Sequence, residues 1–250
     1  METTARKPVP VDIPGCRFVA HRGLSGLETE NTCAAFLSAA QRGYWGIETD
    51  VHATSDGKFV LCHDANLSRV SGVDFDVRAG TLAEARAIPL FDLASPERGT
   101  RSDLRVPELC DYLSICAKYG KHPVVELKDP FDRAAVERIV GEIRDHGILE
   151  NAVFISFDWG NCLHARALCP DNEVLDLDGV SERAPLEAHV ENRIGADWHF
   201  SRIPDDQASA LIASGLQVFA WTVDDPAEAA GLAARGVTGL TTNILEPALA

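Results

Sequence analysis

The sequence lacks a long apolar run and has little positive charge. No run approaches the ~18 residues that would suggest a membrane span. The polar, proline-rich start METTARKPVPVDIPG has no apolar core of the kind that signal peptides carry. Lys and Arg total 23 against 38 Asp and Glu, which gives a formal net charge of -15 at pH 7. The composition therefore argues against stable membrane insertion and against a broad basic surface for nucleic acid or anionic lipid.

Cysteine pairs with metal-ligand spacing are also missing. The seven cysteines are odd in number and contain no CxxC motif. Zinc-finger-like sites are excluded by this spacing, and reduced, buried thiols are expected. Together with the start of the chain, this predicts a cytoplasmic protein.

Strand-like and helix-like segments alternate along the 250 residues, of which 46% are hydrophobic. The predicted strands are Arg17–Gly23, Gly46–Ala53, Pro123–Lys128, Val153–Asp158, Glu173–Asp178, Ala196–Ser201, Gln217–Val223 and Val237–Thr242. Helical patterns lie between most of them. Strict alternation indicates a parallel sheet, and eight units favour a closed TIM (β/α)8 barrel. No low-complexity linker divides the chain, so residues 1–250 are predicted to form a single domain.

One segment interrupts the alternation after the second predicted strand. The turn Ser55-Asp56-Gly57 leads into a short strand over Lys58–His63, as in a hairpin. The stretch Ala65–Arg105 is irregular, with scattered Gly, Asp, Arg and Ser. It is interpreted as an insertion with little regular core.

Charged residues recur two positions apart in two of the predicted strands. Glu48 and Asp50 therefore share one face of their strand, and Glu126 and Lys128 repeat the spacing. One such pair alone would be an ordinary exposed strand end. Two matching pairs at strand ends predict a metal site, because converging carboxylates repel one another without a cation. All-oxygen ligands favour one divalent cation, Mg²⁺ or Ca²⁺, over Zn²⁺.

Two histidines have neighbours that suit acid–base chemistry. His21 ends the first predicted strand and precedes Arg22, whereas His63 precedes Asp64, a carboxylate that can orient an imidazole. None of the other histidines directly precedes an arginine or a carboxylate, and most are interpreted as surface or structural residues. For His199, which lies near a strand end, a pocket-lining role stays open.

These motifs resemble the glycerophosphodiester phosphodiesterase family. The segment HRGLSGLETENTCAAFLSAAQRGYWGIETDVHATSDGKFVLCHDANLSRVSG is similar to the family pattern HRG, PENT, IExDV, TxDGxxVxxHD and LxR. Later segments resemble the family's E-x-K, SF and WTV strands, at Val125–Lys128, Ile155–Phe157 and Phe219–Val223. The resemblance covers nearly the whole chain. It implies a TIM barrel with a small insertion over about residues 52–105.

By position, the resemblance also assigns roles. It implies Glu48, Asp50 and Glu126 as metal ligands, His21 and His63 as the acid–base pair, and Arg22 and Lys128 as phosphate-binding residues. Trp221, in the matched WTV strand, is expected to line the substrate pocket. The sequence departs from the pattern at Thr29, which replaces a proline, and at Asn243, where the family usually has aspartate. The motif assigns no role to Asp176 or Asp178.

The predicted activity is metal-dependent hydrolysis of a small-molecule phosphodiester. Glycerophosphodiesters would give glycerol 3-phosphate and a free alcohol, with His21 as base and His63 as acid. The attacking group is either water or a substrate hydroxyl, and the second route forms a cyclic phosphate first. Three alternatives stay open: a phosphodiesterase that cleaves lysophospholipids, a non-catalytic barrel that binds phosphate or metal, and a metal-assisted enolisation enzyme.

Overall fold

Eight parallel strands close into a barrel. The computed structural model describes residues 6–93, 95–98, 101–178 and 184–248. Within these ranges the barrel strands are β1 (Arg17–Ala20), β2 (Gly46–Ala53), β3 (His122–Leu127), β4 (Val153–Ser156), β5 (Glu173–Asp178), β6 (Gly195–His199), β7 (Val218–Trp221) and β8 (Gly239–Thr242). Each strand pairs in parallel with the next, and β8 pairs with β1. The predicted TIM (β/α)8 barrel is confirmed.

A helix follows each of the first seven strands. These are α1 (Cys33–Ala40), α2 (Leu109–Tyr119), α3 (Arg133–Asp145), α4 (Trp159–Leu168), α5 (Leu186–Asn192), α6 (Asp205–Ala213) and α7 (Pro226–Ala234). Side-chain oxygens of Thr32, Asp132, Asp158 and Asp225 cap four of them by accepting backbone N–H groups. None of the helices in the described ranges has the length and apolar character needed to cross a membrane.

The insertion lies between β2 and α2. Its first strand, Phe59–Leu61, pairs antiparallel with the end of β2, so the predicted hairpin is present. Two short helices follow, Ser68–Ser71 and Leu82–Ala87, and then a two-stranded sheet of Phe91–Asp92 and Ser95–Arg98.

The expectation that this insertion has little regular core is wrong. Eight buried side chains form a separate apolar cluster there: Val60, Cys62, Leu67, Val77, Ala85, Leu90, Leu104 and Val106. Because these residues are irregularly spaced in the sequence, they show neither helical nor strand periodicity, and the cluster could not be predicted from the pattern. They meet only because the chain folds back over the hairpin strand.

A short parallel pair lies outside the barrel. Val9–Val11 pairs with Leu245–Pro247, which follows β8. Arg6 reaches Asp224, with 3.3 Å between Nη2 and Oδ2. The sequence predicts no element in this proline-rich stretch, because its strand is too short to show alternation.

Apolar side chains fill the barrel interior below the strand ends. Val19, Val124, Val153, Ile155, Leu175, Leu177 and Phe219 form this inner cluster. Phe219 has room because β8 carries Gly239 opposite it. A Cβ at Gly239 would lie 2.5 Å from the Phe219 ring.

We predict that Gly239→Val destabilises the protein. The new side chain would overpack the barrel interior, which costs about 1–3 kcal/mol of unfolding free energy. Urea denaturation measures this change. Gly231→Ala is the matched control. Apart from its chain neighbours and the backbone of α7, no atom of the described residues lies within 4 Å of the added Cβ. Alanine also favours a helix over glycine by up to ~1 kcal/mol. A Gly239→Val protein as stable as the wild type would contradict this account of the interior.

Candidate active site

The first side chains of the site lie in a turn directly after β1. The predicted strand Arg17–Gly23 ends earlier, at Ala20, because Arg22 and Gly23 both have positive φ angles, 54° and 75°. A side chain at Gly23 would place its Cβ 2.6 Å from the backbone of Ala35, so only glycine fits. The turn directs the Arg22 backbone N–H to Glu48 Oε2, at 2.8 Å.

Three buried carboxylates converge at the carboxyl ends of β2 and β3. Ligand oxygens of Glu48, Asp50 and Glu126 lie within 4.8 Å of one another. Glu48 Oε1 and Asp50 Oδ1 are buried and accept no hydrogen bond from any residue that the structure describes. Such oxygens need a positive partner. The acidic cluster therefore fits a divalent metal ion with oxygen ligands.

The protonation equilibria of this cluster reflect its crowding. Burial, and then the charge of Asp50, raise the pKa of Glu48 and that of Glu126. Burial alone would also raise the pKa of Asp50, but Arg22 and Lys128 outweigh it and hold this pKa below its usual value. Asp50 is thus the most readily ionised of the three carboxyl groups.

Two cations adjoin the acidic cluster. Lys128 Nζ lies 3.0 Å from Glu126 Oε1 and 3.5 Å from Asp50 Oδ1. Arg22 Nε lies 3.4 Å from Asp50 Oδ2. Burial disfavours the charged form of Lys128, yet Glu126 and Asp50 raise its pKa, so it stays protonated.

Sequence reasoning assigned no role to a hydrogen-bond network behind these residues. Two of its members, Glu30 and Asn31, belong to the ENT motif. Glu30 Oε1 accepts a hydrogen bond from Arg22 at 2.9 Å and a second from Arg69 at 2.7 Å. Asn31 Nδ2 donates to Asp50 Oδ2 at 2.7 Å. The motif therefore positions Arg22 and Asp50.

His21 is held through an asparagine. Its Nδ1 lies 2.8 Å from Asn243 Oδ1, and Asn243 Nδ2 donates to Asp224 Oδ2 at 2.8 Å. Because an amide oxygen only accepts, Nδ1 carries the proton and Nε2 is left as the basic nitrogen. Burial, and then Arg22, lower the pKa of His21 to about 4. The structure therefore gives Asn243, whose role the family pattern leaves open, an orienting contact.

His63 is held by a carboxylate. Its Nδ1 lies 2.7 Å from Asp64 Oδ1, and Asp64 also contacts Arg69. Burial lowers the pKa of His63, although Asp50 and Asp64 oppose this effect. His52, interpreted from sequence as structural or exposed, is buried behind it, with Nε2 3.2 Å from the His63 carbonyl oxygen.

A cavity that opens to solvent lies between these groups. Its lining residues are His21, Arg22, Glu48, His63, Glu126, Ile155, Phe157, Leu177, Asp197, Trp221 and Thr241. Trp221 thus lies on the cavity wall, and its Nε1 donates to the Asp197 carbonyl oxygen at 2.9 Å. Sequence reasoning did not identify Asp197 or Thr241.

Other candidates from the sequence lie apart from the cavity lining. His199 is not among the lining residues; its ring packs at 5.1 Å against Trp221, and its Nδ1 contacts the Ser201 hydroxyl. In the LDLD segment Leu177 faces the cavity, so the alternation of a strand turns Asp176 and Asp178 the other way. Asp176 lies 3.7 Å from His189 Nε2. Thr29 lies in the loop between β1 and α1. Its hydroxyl donates a hydrogen bond to the Phe91 carbonyl oxygen at 2.7 Å and so connects this loop to the insertion.

The fold and the cavity define a class of protein. An α/β barrel that brings carboxylates, cations and histidines together at the carboxyl ends of its strands has the layout of a barrel enzyme. Comparisons with known proteins agree. A profile of the glycerophosphoryl diester phosphodiesterase family matches residues 21–246. The chain belongs to this family of phosphoric diester hydrolases, and the family resemblance seen in the sequence is confirmed.

Individual relatives support this placement. A glycerophosphodiester phosphodiesterase of Bacillus subtilis is 27% identical over 244 residues, covering 90% of this chain and 82% of that protein. An Oleispira antarctica phosphodiesterase solved with the product sn-glycerol-3-phosphate is 26% identical, with a TM-score of 0.77 and coverage of 91% and 93%. A lysophospholipase D of Rattus norvegicus is 46% identical over 61 residues, which span 24% of this chain and 19% of that protein.

We predict that Asn243→Ala lowers kcat with little change in KM. The substitution frees His21 to rotate, and a positioned base contributes about 10²–10⁴-fold, so losing its orientation should remove about tenfold or more. Steady-state kinetics on a phosphodiester, with thermal melting as a check on folding, measure the effect.

Ser25→Ala is the matched control for this substitution. Ser25 donates to the same Asn243 oxygen at 2.8 Å but leaves the His21 contact intact. Its kcat should stay close to that of the wild type. Equal losses in both variants would contradict an orienting role for Asn243.

Proposed function

We propose that this protein hydrolyses soluble glycerophosphodiesters to glycerol 3-phosphate and a free alcohol. The observation that carries the proposal is the cavity that Glu48, Glu126, Arg22 and both histidines line together. Asp50 and Lys128 contact these carboxylates from behind the lining. The named activity of the Bacillus subtilis relative and the product bound to the Oleispira antarctica relative support the substrate class.

One divalent cation, Mg²⁺ or Ca²⁺, would be held by Glu48, Asp50 and Glu126. The two carboxylate oxygens without hydrogen-bond partners in the described residues support this assignment. When bound, the cation polarises the phosphoryl group and offsets charge that builds up in the transition state.

Arg22 and Lys128 would bind non-bridging phosphate oxygens. Arg22 contacts the carboxylates of Glu30 and Asp50, and Lys128 contacts those of Glu126 and Asp50. A guanidinium and an ammonium group there stabilise the anionic substrate and its transition state electrostatically. Trp221 would form an aromatic wall, against which a quaternary ammonium head group can rest.

His21 would act as the base and His63 as the acid. The pKa of His21 lies at about 4, so its ring is neutral at pH 7 and able to accept a proton at Nε2. Burial lowers the pKa of His63, and the hydrogen bond to Asp64 opposes this effect and favours the protonated ring. The protonated ring can donate to the departing alkoxide. The proton that His21 removes comes from water or from a substrate hydroxyl.

The alternatives differ in their support. A lysophospholipid substrate has the short match to the rat lysophospholipase D in its favour. A non-catalytic barrel would leave the oriented histidines without a task, and enolisation would leave Arg22 and Lys128 without a phosphate. We also propose a cytoplasmic location, which the seven free cysteines favour.

The test compares glycerophosphocholine with a lysophospholipid and a dinucleotide, with and without a chelator. We expect glycerophosphocholine to be cleaved fastest and only with metal present, and phosphorus NMR to identify glycerol 3-phosphate. A transient cyclic phosphate would identify the substrate hydroxyl as the attacking group. Glu126→Gln should weaken metal binding and activity together. Full activity after metal removal would refute the metal assignment, and preference for the lysophospholipid would refute the substrate assignment.

The histidine roles predict different responses to the leaving group. His21→Ala and His63→Ala should each lose about 10²-fold or more in turnover on an alkyl ester. An acidic aryl leaving group needs no proton, so it should restore His63→Ala but not His21→Ala. With the wild type and saturating divalent cation, the aryl ester makes turnover depend on the base but not on the acid. Its kcat/KM should then fall as pH drops towards 4, where His21 becomes protonated. Equal responses of the two variants would overturn the assignment.

A further inference from the structure

Two buried polar groups in the cavity take no part in the mechanism above. Asp197 lies on β6 and Thr241 on β8, on either side of Trp221 on β7, and both line the cavity. The two residues are 1% and 2% exposed. Asp197 Oδ1 and Thr241 Oγ1 make no hydrogen bond to any residue in the described part of the chain. Burying a polar group without a partner is costly, so these atoms suit a ligand that supplies hydrogen bonds.

We propose that Asp197 and Thr241 bind the free hydroxyl groups of the glyceryl arm that the product retains, and thereby select polyol esters over plain alkyl esters. This inference rests on the proposed function. It adds a specificity site that the motifs do not mark.

The position of the two residues in the barrel indicates that they contact the retained arm of the substrate. His63, which protonates the leaving alcohol, enters the cavity from the hairpin attached to β2. Asp197 lies on β6, four strands away from β2, and Thr241 lies on β8, which adjoins β1 and His21. The departing alcohol therefore points to His63, and the retained arm occupies the wall formed by Asp197, Trp221 and Thr241.

The surroundings of Asp197 keep its carboxyl group neutral. Leu177 and Phe219 are its neighbours on the adjacent strands. Burial among them raises the pKa of Asp197 to about 8. A neutral carboxyl group both donates and accepts, which matches a hydroxyl group, and it does not repel the phosphate anion.

Apolar residues complete the arm site. Ile155 and Leu177 line the cavity from β4 and β5. Their side chains form no hydrogen bonds, so the hydroxyl groups of the arm would bond to Asp197 and Thr241. An arm that lacks hydroxyl groups would leave both buried polar atoms unpaired, which is the usual source of strong discrimination against such analogues.

The test measures binding by calorimetry, with divalent cation supplied, for glycerol 3-phosphate and propyl phosphate. The wild type should prefer glycerol 3-phosphate by about 10- to 100-fold, the range that follows from leaving a buried polar group unpaired. Asp197→Leu should lower this ratio by about tenfold, and Thr241→Val should lower it less. Asp197→Asn, which is neutral and still donates and accepts, should keep the ratio.

Each outcome decides the inference. A purely structural role would weaken both ligands equally and leave the ratio unchanged, which would overturn the proposal. A ratio near one in the wild type would overturn it as well, as would an Asp197→Asn protein that loses the ratio as fully as Asp197→Leu. If Asp197→Leu fails to fold, the affinity ratio of Thr241→Val tests the proposal in its place.

Turnover of glycerophosphocholine by the wild type is measured separately. Selective binding without turnover would refute the proposed function and keep the arm site. Turnover with equal binding of both phosphates would refute the arm site and keep the function.

Discussion

The electrostatic balance at the carboxyl ends of β2 and β3 is the constraint on which the site depends. Glu48, Asp50 and Glu126 are nearly inaccessible to water, and their oxygens lie within 4.8 Å of one another. Three such charges cannot coexist in a buried place without compensation. Arg22 and Lys128 supply part of it, and a divalent cation would supply the rest.

The side chains of the site are oriented by hydrogen bonds to a second set of residues. Glu30 holds Arg22, Asn31 holds Asp50, and Asn243 holds His21. Each contact satisfies a buried polar atom and limits the rotation of a side chain, which reduces the entropy that must be lost when substrate binds. The insertion contributes Arg69, which joins Glu30 to Asp64 and so links the support of Arg22 to that of His63.

The cavity has two chemically different sides. Strands β1 to β3 and the hairpin carry the charged groups, whereas β4 to β8 carry the apolar wall, Trp221 and the two neutral polar groups. A barrel allows this division because each strand contributes its inward side chains to one sector of the rim. The groups proposed for bond cleavage and those proposed to bind the retained arm therefore lie in separate sectors of the rim.

The sequence by itself determined the barrel and predicted the groups that are proposed to perform the chemistry. Alternation of strands and helices is a local signal, and the two-residue spacing of Glu48 and Asp50 places both carboxylates on one face whatever lies beyond the strand. The insertion's own core and the contact of His21 with Asn243 had no such signal, because their partners meet only after folding. His21 and Asn243 are 222 positions apart. Asp197 became a candidate only in the tertiary structure, because burial without a partner is a property of its surroundings and leaves no pattern in the chain.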